Sequence, residues 1–268
     1  MTTPAPTPPA LVVFGADSDT GYRYYTAGQM YEAARIRELR DIGLPVAAIA
    51  ALVRRPADSD TGYRLVQLGR RHGRAVLGVV SRDRDRGTID RLGAESAVAD
   101  PSRREEVDAV FENLDATRLE VVCFVGGTPQ LNSQGNINVI DASSAAGVPR
   151  FLLTTSIGCG DSAVVLDPFV KAFAGKAIRA KDWAEKQLRA TSMAWTIVRS
   201  GGMHGRPSRG TAILVESPYV VGYINRTDLG DMVWQALCSP KSVGRVLAAV
   251  DGAKAMNIKG DPLVPADL

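Results

Sequence analysis

A short apolar run, Leu11–Phe14, leads straight into Gly15-Ala16-Asp17-Ser18-Asp19-Thr20-Gly21. Glycines at both ends of a strand-to-helix turn suit one chemistry above others. The first permits a tight turn, and the last lets the helix pack close to the strand. Amides at the helix start then face outward with partial positive charge, the right partner for a pyrophosphate. Gly15, Ala16, Ser18, Thr20 and Gly21 are therefore candidate ligands of a dinucleotide. Ser18 stands where a middle glycine is usual, so its Cβ crowds the nearest approach to the phosphates. Its hydroxyl is able to donate to a phosphate oxygen instead. A plain glycine-containing turn is the ordinary alternative.

The octapeptide Ala16–Arg23 recurs letter for letter as Ala57–Arg64. A direct repeat flanking a segment is what an insertion at a short shared sequence leaves behind. The segment 24–64, or an equivalent shift of it, reads as helical: Met30, Ala33, Ala34 and Arg37, with Ile36, Leu39 and Ile42, form stripes at helical spacing, and Gly43 and Pro45 separate a second helix. Two arrangements of the phosphate loop remain open. Either Gly15–Ser18 is completed by Asp60, Thr61 and Gly62 of the second copy, or the first copy forms the whole loop and Tyr24–Ile42 caps it.

Beyond the second copy, a helical stretch Tyr63–His72 leads to a strand, Ala75–Val80, and then to Ser81 and Arg82. An acidic residue at that point would bind the ribose 2′-hydroxyl of NAD; a guanidinium suits a 2′-phosphate. The expected cofactor is NADP(H), with Arg82 on the extra phosphate, although a solvated loop arginine is the bland alternative. Gly126 and Gly127 follow an apolar run, Val121–Val125, and admit close backbone approach beneath a cofactor or form a simple turn.

These residues need a frame. Further strands are expected at Glu95–Val98, Phe151–Thr155 and Ala194–Val198, alternating with helices at Arg103–Leu114, Asn136–Ala146, Ala177–Ala190 and Leu229–Leu237. Such alternation specifies an α/β fold with a doubly wound parallel sheet of Rossmann type, here with a helical insertion after the first strand. The expected organisation is a disordered leader (1–10), a nucleotide-binding domain (11–250) interrupted by the insert, and a frayed C-terminal tail (251–268).

Composition narrows the partners. The chain has 268 residues, 45% hydrophobic and 23% charged, with net charge +3, a balance ordinary for a globular protein and too mild to argue for nucleic acid. Arginines concentrate between Arg54 and Arg86, consistent with a local anion. Three isolated cysteines and two histidines give no zinc set, and no disulfide framework, so no metal is expected. No long apolar run or signal-like leader occurs, so the expected location is cytoplasmic, away from membranes. Nothing in the sequence fixes an oligomeric state.

Joined across the insert, Leu11–Gly15 and Ala57–Arg82 give VVFGADSDTGYRLVQLGRRHGRAVLGVVSR, which resembles the atypical short-chain dehydrogenase/reductases of the NmrA-like and flavin (biliverdin) reductase type. Asn136–Gly158, Ala180–Met203 and Ile224–Leu237 resemble later segments of that family in order. The insert, Asp17–Ile49, resembles the second half of a MerR-family DNA-binding domain, without the helix that would enter the major groove. The first resemblance implies a reductase with a small-molecule substrate. It also implies roles: Ser156 to orient a substrate carbonyl, Lys181 as the lysine of the wider superfamily's Ser-Tyr-Lys set, and His204 lining the substrate pocket. The tyrosine of that set would precede the lysine by four residues, where this chain has Ala177. Its absence favours a flavin, quinone or related conjugated acceptor. The same absence leaves open a non-catalytic NADP(H) sensor, and the insert leaves open, more remotely, a DNA-binding regulator. Each residue also has an ordinary reading: Ser156 as a strand-end cap, Lys181 as a surface lysine pairing with Glu185, His204 as a loop histidine.

Overall fold

A computed structural model describes residues 10–15, 61–204 and 208–268. The insert's expected helices, residues 1–9 of the expected leader, and the candidates Ala16, Ser18, Thr20, Gly21 and Asp60 lie outside the described residues, while Ala10 already belongs to the first strand.

Most of the first six strands are rich in apolar residues on both faces, as strands covered by helices on each side must be, while the edge strand at 95–98, Glu-Ser-Ala-Val, is more exposed. They are β1 (Ala10–Phe14), β2 (Val76–Val80), β3 (Glu95–Val98), β4 (Leu119–Cys123), β5 (Arg150–Ser156) and β6 (Ala194–Ser200). Two more complete the sheet, β8 (Ala212–Val215) and β11 (Val246–Asp251), in the order β3-β2-β1-β4-β5-β6-β11-β8. All neighbours pair in parallel except β11 and β8, which are antiparallel. This is the expected doubly wound sheet, extended by an antiparallel edge.

Side chains alternate across it. Val12, Phe14, Val121, Cys123, Phe151 and Leu153 face one layer, with helices α2 (Arg104–Phe111), α3 (Asn136–Ala145) and α4 (Pro168–Arg189). Leu11, Val13, Val122, Leu152 and Val198 face the other, against α1 (Thr61–Arg71) and α5 (Arg226–Cys238), which pack on each other. Smaller strands lie outside the sheet: β7 (Gly202–His204) pairs with β10 (Tyr223–Asn225), and β9 (Val220–Val221) with β12 (Met256–Asn257).

Three expectations need correction. Helix α4 starts at Pro168, not Ala177, because Asp167 accepts the Val170 amide at 2.9 Å and Pro168 suits the first turn. The strand expected over Val121–Val125 is β4, which runs over Leu119–Cys123 and stops two residues short of Val125, because the chain turns there toward Gly126. The tail is docked rather than frayed. Met256–Asn257 pairs with β9, the Ala266 amide donates to the Leu214 carbonyl at 2.7 Å, and Lys241 meets Asp267 at 2.8 Å. Its partners are strand edges and loops distant in sequence, which its composition does not reveal.

Among the described residues no helix is long and apolar enough to cross a membrane, and no group of potential ligands could hold a metal ion.

Phe151 is fully buried at the centre of the α2–α4 face. Phe151→Ala removes that packing and leaves a cavity, so urea unfolding should show a loss of about 3–5 kcal/mol with an unchanged slope.

Candidate functional site

In a doubly wound sheet the crevice lies at the carboxyl ends of the strands, where connections from adjacent strands leave toward opposite faces. Here that point falls between β1 and β4. Gly15, just after β1, has φ +77°, a conformation favouring glycine. A Cβ there would sit 3.0 Å from the Phe124 carbonyl carbon and 3.1 Å from the Val125 amide, so the turn beside β4 also leaves no room for a side chain. The Gly15 amide donates to Val79 at 3.2 Å and the Phe124 amide to Phe14 at 2.9 Å, tying the strand ends together.

Thr61 and Gly62 are buried in the first turn of α1. The second copy of the octapeptide thus contributes Thr61–Arg64 to the helix that returns to β2. Arg82 follows β2. Its Nε donates to Asp85 at 2.8 Å, while its Nη2 is buried without a hydrogen-bond partner among the described residues.

The turn after β4 is braced by an asparagine that sequence reasoning missed. The Gly127 amide donates to Asn132 Oδ1 at 3.1 Å, and Asn132 Nδ2 reaches the Gly127 carbonyl at 3.4 Å and the Ala177 carbonyl at 3.3 Å. One amide side chain joins the Gly126–Gly127 turn to α4 at the position where a tyrosine was absent. Asn132 lies in a wide helical turn, Leu131–Gly135, that precedes α3. Asn136, the first residue of α3, is equally committed: its Nδ2 donates to the carbonyls of Val125, Leu131 and Asn132, and its Oδ1 accepts from the Cys123 thiol. The run of Asn and Gly after an apolar strand was the available signal, but it names no partner.

Lys181 points into this crevice. Its Nζ lies 3.6 Å from where a Gly126 Cβ would stand, and it makes no hydrogen bond or ion pair with any described residue. Lys181 is half-buried. Burial therefore pushes its pKa below the usual lysine range, against opposing contributions from Cys159, Cys123 and Glu185. The expected pairing of Lys181 with Glu185 does not form. Glu185 is instead fully buried and taken by Arg199 and Arg189. Ser156 closes β5 at the same edge, and its hydroxyl makes no hydrogen bond among the described residues. His204 stands farther along, at the end of β7 opposite Asn225. Gly15, Arg82, Gly126, Gly127, Ser156 and Lys181 thus share the carboxyl edge of the sheet, and His204 lies beyond it on the small β7–β10 pair.

A family model described as NAD(P)H-binding matches residues 57–240. The chain belongs to the NAD(P)H-binding family. The match begins at the second copy of the octapeptide. A second model, MerR HTH family regulatory protein, matches residues 10–55, of which 10–14 form β1 of the nucleotide-binding sheet.

Curated relatives include an uncharacterized chloroplastic protein of Arabidopsis thaliana, 28% identical over 56% of this chain and 59% of its own, so this chain spans less than two thirds of that relative. An uncharacterized sugar epimerase of Bacillus subtilis is 24% identical over 66% of this chain and 83% of its own. Among solved structures, ChuY, an anaerobillin reductase of Escherichia coli, superposes with a TM-score of 0.67 at 21% identity, covering 90% of this chain and 97% of that one. A short-chain dehydrogenase/reductase of Veillonella parvula in complex with NADP reaches 0.56 at 10% identity, over 74% and 93%. These likenesses show the same mostly parallel, helix-flanked sheet.

The thiols give a direct check on burial. Cys123 and Cys159 are buried, and burial pushes each pKa up to about 12, whereas Cys238 is exposed. At about pH 8 a thiol reagent should label Cys238 alone in the native protein, and all three only after unfolding. Rapid native labelling of Cys159 would contradict the packing around Lys181.

Proposed function

We propose that this chain is an NADP(H)-dependent reductase of the atypical short-chain dehydrogenase/reductase type, acting on a flavin, quinone or related conjugated acceptor. The observation that carries the cofactor half is Arg82. A buried guanidinium nitrogen without a partner is costly, and the carboxyl end of β2 is where a ribose 2′-substituent belongs. A 2′-phosphate oxygen satisfies that nitrogen, while Asp85 keeps the fork oriented through Nε. Gly15, with the amides of Thr61 and Gly62 at the start of α1, would face the pyrophosphate. Ala16, Ser18, Thr20, Gly21 and Asp60 remain candidates for the same role.

The nucleotide, when bound, supplies a hydride. The chain's own part is orientation and charge. Gly126 and Gly127 allow close approach, and the Asn132 clamp holds their turn in place. The Lys181 ammonium, with no hydrogen bond or ion pair among the described residues, is set to bind ribose hydroxyls. The Ser156 hydroxyl, equally uncommitted, is set to orient an acceptor carbonyl, with His204 lining the far side. Ala177 offers no proton, so an acceptor that tolerates hydride without an acid at that position is favoured over a ketone. Ala177 also favours the second reading, a non-catalytic NADP(H) sensor.

Titration of the full chain with NADPH and NADH tests this, beside a chain lacking Tyr24–Arg64. NADPH should bind about 10–100-fold more tightly, and Arg82→Ala should abolish that preference. NADPH oxidation should then follow addition of a flavin or quinone. Equal affinities would overturn the cofactor assignment, and tight binding without turnover on any acceptor would favour the sensor.

A further inference from the structure

Ser156 and Lys181 arrive on different elements, β5 and α4, and neither side chain makes a hydrogen bond among the described residues. One turn beyond Lys181 on α4 stands Glu185, a carboxylate with no exposure at all, beside the apolar core formed by Ala184 and Leu188. Its two oxygens accept from three elements. Thr155, next to Ser156 on β5, donates to Oε1 at 2.7 Å. Arg199 on β6 donates from Nε to Oε1 at 3.0 Å and from Nη2 to Oε2 at 2.7 Å. Arg189, one turn on, adds a bond to Oε2 at 3.1 Å.

The remaining Arg199 arm, Nη1, donates to Asp161 in the segment that follows Ser156. Arg199 is itself buried. Burial alone would pull its pKa down, but Glu185 and Asp161 more than reverse this and hold it above the usual arginine range. A fork with fixed geometry thus connects the strand bearing Ser156, the loop after it and the helix bearing Lys181.

Replacing such a pair by apolar residues is often neutral for stability, so its use is better sought in geometry. We propose that Glu185 and Arg199 are positioning residues, whose buried bidentate pair locks α4 onto β5 and β6 and thereby sets Lys181 and Ser156 at a fixed separation along the cofactor crevice. The inference rests on the reading of that crevice as a nucleotide site. Among the described residues, the charged and titratable groups acting on the Lys181 ammonium are Cys123 at the end of β4, Cys159 after β5 and Glu185 on its own helix. Asn132 is the polar neighbour on the Gly126 side.

Calorimetry of the full chain with NADPH and, separately, with adenosine 2′,5′-bisphosphate tests the proposal. The second probe carries the 2′-phosphate half and lacks the part that would reach α4. Glu185→Gln and Arg199→Lys should each weaken NADPH binding by about tenfold or more and leave the bisphosphate unchanged. Thr155→Ser should behave as wild type and Thr155→Val should weaken NADPH, an arm that keeps every charge if the others fail to fold. Parallel loss of both probes, or no loss of NADPH affinity, overturns the proposal.

A second readout needs no nucleotide. With 13Cε-labelled lysine, and Lys181→Met to assign the signal, the Lys181 titration midpoint should fall in Glu185→Gln, because the carboxylate that favours the ammonium is gone. An unmoved midpoint counts against the coupling even if wild type binds neither probe. Failure of wild type to bind either one refutes the nucleotide site itself.

Discussion

Adjacent parallel strands whose connections leave toward opposite faces cannot close over their shared carboxyl end. In this chain β1 lies between β2 and β4. The chain after β4 winds onto the α2–α4 face, while α1, reached after β1, and the short helix Arg86–Asp90, reached after β2, pack on the other. The gap that results is lined by backbone rather than side chains at Gly15 and Phe124, because nothing larger than hydrogen fits between them. Every candidate residue that shares the edge does so because it ends a strand beside this gap or sits on a helix leaning over it.

Both layers bury polar groups within apolar cores. The α1–α5 face is apolar from Leu11 and Leu65 to Leu229 and Val233, and encloses Arg150, Thr196 and Ser242, which hydrogen-bond to one another and to the Ala236 carbonyl. The α2–α4 face has a similar core but encloses amide and ionic groups at its upper edge: Asn132, Asn136, Glu185 and Arg199. Each is saturated by partners on other elements, which is the condition for burying polar groups at little net cost. Apolar packing tolerates small shifts; directional hydrogen bonds do not. On the α2–α4 face such groups surround the Gly126–Gly127 turn and the helix that carries Lys181.

The duplicated octapeptide meets the fold in an economical way. Residues 61–71 form the helix that completes the first strand–helix–strand unit, so the strand before the insert and the helix after it still belong to one layer. The entropic cost of a longer connection grows only logarithmically with its length, so a long segment between β1 and α1 leaves the packing of both available. The two family matches divide at the same place, 10–55 and 57–240.

Local pattern determined a good deal on its own. Apolar runs separated by helical stripes specified the parallel sheet and its first six strands, because buried parallel strands must be apolar on both faces. The position of Gly15 after β1, and of Arg82 after β2, followed from the same spacing. The antiparallel edge, the docked tail and the small β7–β10 pair were not legible, since short strands take their partners from edges assembled elsewhere. Nor was the Asn132 clamp or the choice of Arg199 over Lys181 as the partner of Glu185. Residue types and spacing place groups along one chain. Which acid meets which base is decided only when three elements converge, because a buried charge takes whichever partner the packing brings within hydrogen-bond reach.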